Sequence, residues 1–115
     1  MPTYQGQCHC GKVQFEVETD FDRVVRCNCS ICRRRASPMV YIDQSQLKIT
    51  EGEEYLTLYQ FHTNKAKHYF CKVCGIYTFH RTRRFPDKYV VNIGCLEGVD
   101  PYAFTPELVD GASFD

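Results

Sequence analysis

Eight cysteines in a chain of 115 residues constrain this sequence more than any other feature. The chain begins without a charged leader followed by an apolar stretch, so we expect a cytoplasmic protein whose thiols stay reduced. Metal binding therefore explains the cysteines better than disulfide bonds. The cysteines fall into four groups, which are Cys8 with Cys10, Cys27 with Cys29 and Cys32, Cys71 with Cys74, and Cys95 alone.

The first predicted metal site combines the C-x-C pair with the C-x-x-C pair. Gly75 directly follows the C-x-x-C pair, a pattern typical of a zinc knuckle, because glycine lets the backbone turn its N–H groups toward the thiolates. A knuckle supplies two ligands, whereas structural zinc takes four in a tetrahedron. The N-terminal pair can supply the other two. We therefore predict a closed structural zinc site at Cys8, Cys10, Cys71 and Cys74.

The central C-x-C-x-x-C group supplies three thiolates within six residues, one ligand short of a closed shell. Three protein ligands with one exchangeable position are typical of a zinc ion that binds or activates a ligand. We therefore predict a second, open zinc site at Cys27, Cys29 and Cys32. Three alternatives remain, namely a ribbon that pairs Cys29 and Cys32 with the later C-x-x-C pair, a closed site completed by Cys95 or a histidine, and a metal-free reactive dithiol.

Short alternating segments predict an all-β protein with little helix. Residues 12–18 alternate strictly, which places Val13, Phe15 and Val17 on one face of a half-buried strand. Further strands are predicted at 24–26, 39–42, 47–50, 55–61, 68–70, 77–80 and 89–93, and one short helix at 30–35. No internal repeat or linker interrupts the pattern, so we expect a single domain over residues 1–115.

Charge is balanced overall, but the arginines are clustered. Fourteen Lys and Arg match fourteen Asp and Glu, which disfavours a nucleic-acid or chromatin binder. No apolar run approaches the roughly 18 residues of a membrane span. Arg33, Arg34 and Arg35 follow the last ligand of the second site, and we expect them to offset thiolate charge and bind substrate carboxylates. The alternative is a solvated basic loop. A second group is predicted to be the polar end of a strand: Arg81, Arg83 and Arg84.

The histidines and Cys95 are weaker candidates. His9 lies between two predicted ligands and is expected to face away from the metal. The other three histidines are expected to be half-buried beside aromatic residues, where one could move protons: His62, His68 and His80. Cys95 is expected to be a small buried side chain rather than a ligand.

Four ordered motifs resemble the glutathione-dependent formaldehyde-activating enzyme family and together cover nearly the whole chain. They run over residues 6–17 (GQCHCGKVQFEV), 27–33 (CNCSICR), 71–75 (CKVCG) and 91–99 (VNIGCLEGV). The resemblance implies a β-tent zinc fold. It also implies a structural zinc on the C-x-C and C-x-x-C pairs and a second zinc on the C-x-C-x-x-C residues.

The resemblance further implies a carbon–sulfur lyase-type activity that joins the glutathione thiol to formaldehyde. On this basis Cys27, Cys29 and Cys32 are the expected catalytic residues. A thiol in the open coordination position would lose its proton and attack the carbonyl carbon of the aldehyde. Members similar to centromere protein V share the zinc motifs, and the alternative function is a non-catalytic carrier or interaction module that binds glutathione and zinc. The expected partners are a small thiol and a small aldehyde, not a membrane.

Overall fold

Ten short strands, one single-turn α-helix and five short 3-10 helices make up the computed structural model, which describes residues 1–114. The strands are β1 (Thr3–Gln7), β2 (Gln14–Glu18), β3 (Val24–Cys27), β4 (Met39–Asp43), β5 (Leu47–Glu51), β6 (Leu56–Tyr59), β7 (Lys67–Cys71), β8 (Tyr77–Arg81), β9 (Lys88–Asn92) and β10 (Glu107–Val109). The helix is α1 (Cys32–Arg35). The all-β prediction is therefore confirmed.

The strands form two sheets. The smaller sheet has the order β1-β2-β5 and the larger sheet has the order β10-β3-β4-β9-β8-β7-β6. Neighbouring strands are antiparallel except for β10, which pairs in parallel with β3. The parallel pairing brings the chain's last strand alongside the strand that ends in Cys27.

The core lies between the two sheets. Val13, Phe15 and Val17 are fully buried on one face, as the alternation of residues 12–18 predicts. The Phe15 ring meets the Phe79 ring of the larger sheet edge to face, with centroids 5.3 Å apart. On β1 the chain needs glycine at position 6, because a Cβ there would lie 2.4 Å from Cε2 of Phe15.

Each strand predicted from the sequence is present, with ends that move by one to a few residues. The predicted helix at 30–35 is reduced to Cys32–Arg35 and ends at Ala36, which adopts a left-handed conformation with φ of 52°. Two strands, β1 and β10, escaped prediction, because β1 is mostly polar and β10 has three residues. None of the helices in residues 1–114 has the length and apolar character needed to cross a membrane.

Candidate metal centres

The first cluster brings together the four cysteines of the predicted closed site. Their sulfur atoms all lie within 4.8 Å of one another. The Sγ atom of Cys10 is 3.6 Å from that of Cys8 and 3.7 Å from that of Cys71. Four thiolates on one tetrahedral zinc ion would lie about 3.8 Å apart, given a Zn–S distance of about 2.3 Å. The donor set and its spacing therefore fit a tetrahedral metal ion such as zinc.

Two similar turns build this cluster. In the first turn the N–H of Val13 donates to the sulfur of Cys8 at 3.4 Å, and in the second the N–H of Val73 donates to the sulfur of Cys71 at 3.4 Å. Each turn contains a glycine with φ of 80°, which are Gly11 and Gly75. Left-handed conformations of this kind favour glycine. The backbone thus presents N–H donors to the sulfur atoms, as expected for a knuckle.

The thiols of the first cluster influence one another's ionisation. Burial opposes ionisation of Cys74, but the backbone N–H groups of Cys10 and Ile76 outweigh it and lower its pKa to about 6. The N–H of Lys12 favours the thiolate of Cys10, yet burial and the neighbouring thiols raise its pKa to about 11. Four thiolates this close therefore need a cation to balance their charge.

The second cluster brings together Cys27, Cys29 and Cys32, again with all sulfur atoms within 4.8 Å of one another. Cys27 ends β3 and Cys32 begins α1, so a tight loop supplies all three ligands. The N–H of Cys32 donates to the sulfur of Cys29 at 3.4 Å. Within residues 1–114 neither Cys95 nor a histidine joins this group, and the C-x-x-C pair of the first cluster stays separate from it. The ribbon alternative and the closed second site are therefore wrong.

Ionisation in the second cluster is shared unevenly. Hydrogen bonds from the Cys27 and Cys32 thiols lower the pKa of Cys29. Hydrogen bonds with Cys27 and Cys29, together with burial, raise the pKa of Cys32. The hydrogen bond with Cys29 raises the pKa of Cys27. One thiolate and two thiols are thus favoured in the absence of a cation. A divalent ion would take all three residues as thiolates.

The C-terminal segment closes over one side of the second cluster. Asn28, between two of the ligands, donates from Nδ2 to the Asp110 carboxylate at 3.0 Å and accepts from the N–H of Ala112 at 2.9 Å. The backbone N–H of Asn28 also donates to the carbonyl of Val109 at 3.1 Å. Gly111 lies so close that a Cβ there would be 2.4 Å from the sulfur of Cys27. Sequence reasoning missed this segment, since nothing local links it to the cysteines.

The best-formed cavity within residues 1–114 opens beside the second cluster, and no cysteine of the first cluster lines it. Its volume is about 110 Å³, which is smaller than most small-molecule sites and suits a compact ligand or part of a larger one. Its walls include the three cysteines of the second cluster, and apolar side chains form much of the rest: Val25, Ile31, Met39 and Val90. The larger sheet therefore carries a half-enclosed, mostly apolar site with thiols in its wall.

Of the three arginines that follow Cys32, the structure turns only Arg35 toward the cluster. Its Nη2 donates to the Cys32 sulfur at 3.2 Å, and its guanidinium lies 3.6 Å from the centre of the Tyr77 ring. Arg34 is exposed and donates to the carbonyl of Ser30 at 2.6 Å, and Arg33 is exposed as well. The predicted offset of thiolate charge thus falls to one side chain.

The second arginine group is divided between strand β8, which ends at Arg81, and the turn that follows it. Thr82 donates from Oγ1 to the Phe85 carbonyl at 2.9 Å and accepts from the Phe85 N–H at 3.0 Å, which fixes the turn between β8 and β9. That turn places Arg83 and Arg84 in the wall of the cavity. Arg81 ends β8, whereas Arg83 and Arg84 lie just beyond it and line the same cavity as the second cluster.

The histidines also differ from expectation. His68 and His80 are more deeply buried than predicted, at 5% and 7% exposed, and both line the cavity. His62 is exposed, in a loop with φ of 56°, so the prediction that it is half-buried is wrong. His9 is exposed between two ligands of the first cluster. Cys95 is buried outside both clusters, where burial raises its pKa to about 12.

Comparisons with known proteins show which family this chain is similar to. A family model described as "Glutathione-dependent formaldehyde-activating enzyme" matches residues 3–109. A Halomonas elongata protein named "Putative glutathione-dependent formaldehyde-activating enzyme" is 29% identical over 92 residues, which is 72% of this chain. The chain spans 59% of that relative's length. A Schizosaccharomyces pombe protein named as an uncharacterized lyase is 23% identical over 94% of this chain and 79% of its own length.

A solved structure extends the likeness to three dimensions. The crystal structure of a Rhodobacter sphaeroides protein superposes with a TM-score of 0.87 and is 46% identical. The match covers 91% of this chain and 99% of that one. The two-sheet arrangement described above is therefore shared with a protein of similar length.

Proposed function

The chain belongs to the glutathione-dependent formaldehyde-activating enzyme family, and we propose that it joins the thiol of glutathione, or of a similar compound, to formaldehyde or another small aldehyde. One observation carries the proposal. The three-cysteine cluster lies in the wall of the best-formed cavity of residues 1–114, and the four-cysteine cluster does not line that cavity. An incomplete ligand set beside a cavity can accept a ligand, and a complete set away from it cannot. The chain would then be a carbon–sulfur lyase-type enzyme located in the cytoplasm, as the sequence predicts.

We assign zinc to both clusters. All-thiolate sites of three or four cysteines are typical of zinc, and softness of the donors disfavours magnesium or calcium. Cys27, Cys29 and Cys32 would hold zinc with a fourth position left for a ligand, and the ion would supply the positive charge that favours the thiolate form of a thiol there. Zinc bound to the other four cysteines has no such position and is structural.

The protein's own residues supply charge balance and shelter around the cysteines of the second cluster. Four thiolates on one divalent ion carry a net negative charge, which is costly in a half-buried site. The Arg35 guanidinium, 3.2 Å from the Cys32 sulfur, offsets part of that charge. The apolar wall, including Met39 and Val90, suits a small aldehyde and keeps bulk water from it.

Two arginine pairs are candidates for the carboxylates of glutathione. Arg33 and Arg34 are exposed next to the last ligand, and Arg83 and Arg84 line the cavity. Guanidinium groups suit this role because they bind carboxylates through two parallel hydrogen bonds. Replacing each pair by alanine and measuring glutathione affinity by calorimetry assigns the role. A loss of about tenfold or more is expected for the pair that binds, and unchanged affinity in both double variants would contradict carboxylate recognition by these arginines.

Adduct formation tests the function itself. Thiols add to formaldehyde spontaneously, so the measured quantity is the exchange rate between free glutathione and its hydroxymethyl adduct, by NMR exchange spectroscopy. We expect the wild type to raise this rate well above the spontaneous one and Cys32→Ala to abolish the increase. Cys95→Ala is the matched control, since it removes a buried thiol outside both clusters. Equal rates for the wild type, Cys32→Ala and buffer would contradict the enzymatic function. The protein could then act only as a carrier of glutathione.

A further inference from the structure

A chain of contacts runs from the second cluster to a buried histidine that the cysteine chemistry does not use. Arg35 spans the gap, with Nη2 3.2 Å from the Cys32 sulfur and Nη1 3.2 Å from Nδ1 of His68. The thiol cluster and the imidazole therefore flank the same guanidinium group. Both also line the same cavity.

The Arg35 contact fixes which nitrogen of His68 carries the proton. A guanidinium is a donor only, so Nδ1 of His68 has to accept. An accepting Nδ1 means a neutral ring with its proton on Nε2. Burial, and to a lesser extent the neighbouring positive charge, also disfavour the imidazolium and lower the pKa of His68 to about 4.

The remaining nitrogen of His68 is free to serve a ligand. Among residues 1–114 no hydrogen-bond partner is found for Nε2, and this atom is not one of the fully buried side-chain atoms without a partner. Because the His68 side chain lines the cavity, we infer that Nε2 faces it. The ring is held from both sides, by Phe61 with centroids 5.6 Å apart and by His80 with centroids 4.8 Å apart. A stacked, oriented N–H donor facing a mostly apolar cavity is the arrangement that stabilises a developing negative charge.

We propose that His68 is a further catalytic residue, whose Nε2–H donates a hydrogen bond to the aldehyde oxygen as the thiolate adds to the carbonyl carbon. The inference rests on the proposed function. A sulfur lone pair forms the C–S bond, the C=O π pair moves to oxygen, and the resulting alkoxide takes a proton from water. The thiol's own proton has already gone to solvent, so thiol and aldehyde together give the hydroxymethyl thioether without any redox change. Arg35 is then a positioning residue that keeps Nδ1 as an acceptor.

The first test reads the tautomer directly and needs no activity. Long-range 1H–15N correlation spectra of the zinc-loaded, 15N-labelled protein at pH 7 should show His68 as the neutral Nε2–H form. In Arg35→Met the guanidinium donor is gone, so the ring is free to move its proton to Nδ1. A wild-type His68 that is protonated, or that carries its proton on Nδ1, would overturn the proposal even if the enzyme is active.

The second test separates the donor from the ring. His68→Phe keeps an aromatic ring in the stack but removes the N–H. We expect the catalysed exchange rate to fall by about 100- to 1,000-fold while glutathione affinity and zinc content are unchanged. His68→Gln, whose amide N–H reaches a similar position, should recover much of the rate. A rate unchanged in His68→Phe, with an active wild type, would sink this inference alone. A wild type no faster than buffer would remove the proposed function as well.

Discussion

At the scale of single residues, Gly111 ties the second cluster to the end of the chain. A Cβ at this position would lie 2.4 Å from the sulfur of Cys27 and 3.1 Å from Cβ of Cys29. Its φ is not in the left-handed region, so proximity alone explains the glycine. The side chain of Asn28 holds the neighbouring Asp110 in place, which leaves little room for the segment to move away.

Gly111→Ala should therefore weaken metal binding at the second cluster. We expect about a tenfold or larger loss of zinc affinity at this cluster. The added methyl group would push away either the Cys27 sulfur or the C-terminal segment that packs against it. Competition with a coloured chelator measures it. Gly94→Ala is the control, since its Cβ would meet only the side chain of Asn92, at 3.2 Å. Equal affinities in the two variants would show that Gly111 does not constrain the cluster.

His68 also links stability to pH. Its pKa in the folded protein is lowered to about 4, chiefly by burial, while an unfolded histidine titrates near about 6.5. As the pH falls between these values the unfolded state takes up a proton that the folded state refuses, so the free energy of unfolding falls. The contribution is fully present above about pH 6.5.

His68→Gln should flatten this pH dependence. Urea unfolding of the zinc-loaded wild type and variant gives the free energy of unfolding at pH 7 and at pH 5. The slope is the change in this free energy between the two pH values, and the difference between the two proteins' slopes isolates His68 from groups common to both. We expect a smaller loss of stability in the variant on going to pH 5. A variant slope equal to that of the wild type would mean that His68 titrates alike in both states.

At the scale of elements, the end of β5 supports the first cluster. Gly52 has φ of 75°, and a Cβ there would lie 1.8 Å from the carbonyl oxygen of Lys12, in the turn that carries Cys8 and Cys10. The strand end and the knuckle turn thus pack backbone against backbone. A side chain at position 52 would push the turn away from its partner cysteines.

Gly52→Ala should therefore lower the free energy of unfolding by much more than the cost of placing alanine in a left-handed conformation. Gly98 is the matched control, because its φ is 74° and a Cβ there would meet nothing within 4 Å. Gly98→Ala should cost about 1–2 kcal/mol for the left-handed conformation. Gly52→Ala should cost clearly more and should release zinc from the first cluster at a lower chelator concentration. Similar melting temperatures for the two variants would contradict this packing.

Patterns of neighbouring residues in the sequence predicted most of the strands and the grouping of the cysteines into two clusters. The alternation around Phe15 and the ligand count at each C-x-C group are local properties, and the strands and both clusters follow from them. The parallel pairing of β10 with β3 is not local, so the cover over Cys27 could not be predicted. For the same reason sequence could not tell which arginine of the three turns inward, or that His68 meets Arg35.

At the scale of the whole molecule, the two clusters have different mechanical roles. The first cluster joins the turn after β1, in the smaller sheet, to Cys71 at the end of β7, in the larger sheet. The second cluster lies within one loop beside β3 and α1. We therefore expect loss of metal from the first cluster to weaken the link between the two sheets, and loss from the second to loosen one loop.

Cys71→Ser should lower the melting temperature by roughly 10 °C or more, because a structural metal contributes directly to the free energy of folding. Cys32→Ser should lower it by only a few degrees. Differential scanning calorimetry at fixed zinc concentration makes the comparison, with metal content measured on the same samples. The reverse order of melting temperatures would contradict the assignment of the four-cysteine cluster as the structural site.

A cadmium-loaded sample tests most directly whether one cluster is closed and the other open to a thiol. We predict two 113Cd resonances per chain, of which glutathione shifts one and leaves the other in place. Cys32→Ser should lose the responsive resonance and Cys71→Ser the silent one. A single resonance, or two that both ignore glutathione, would contradict an open thiol site at Cys27, Cys29 and Cys32.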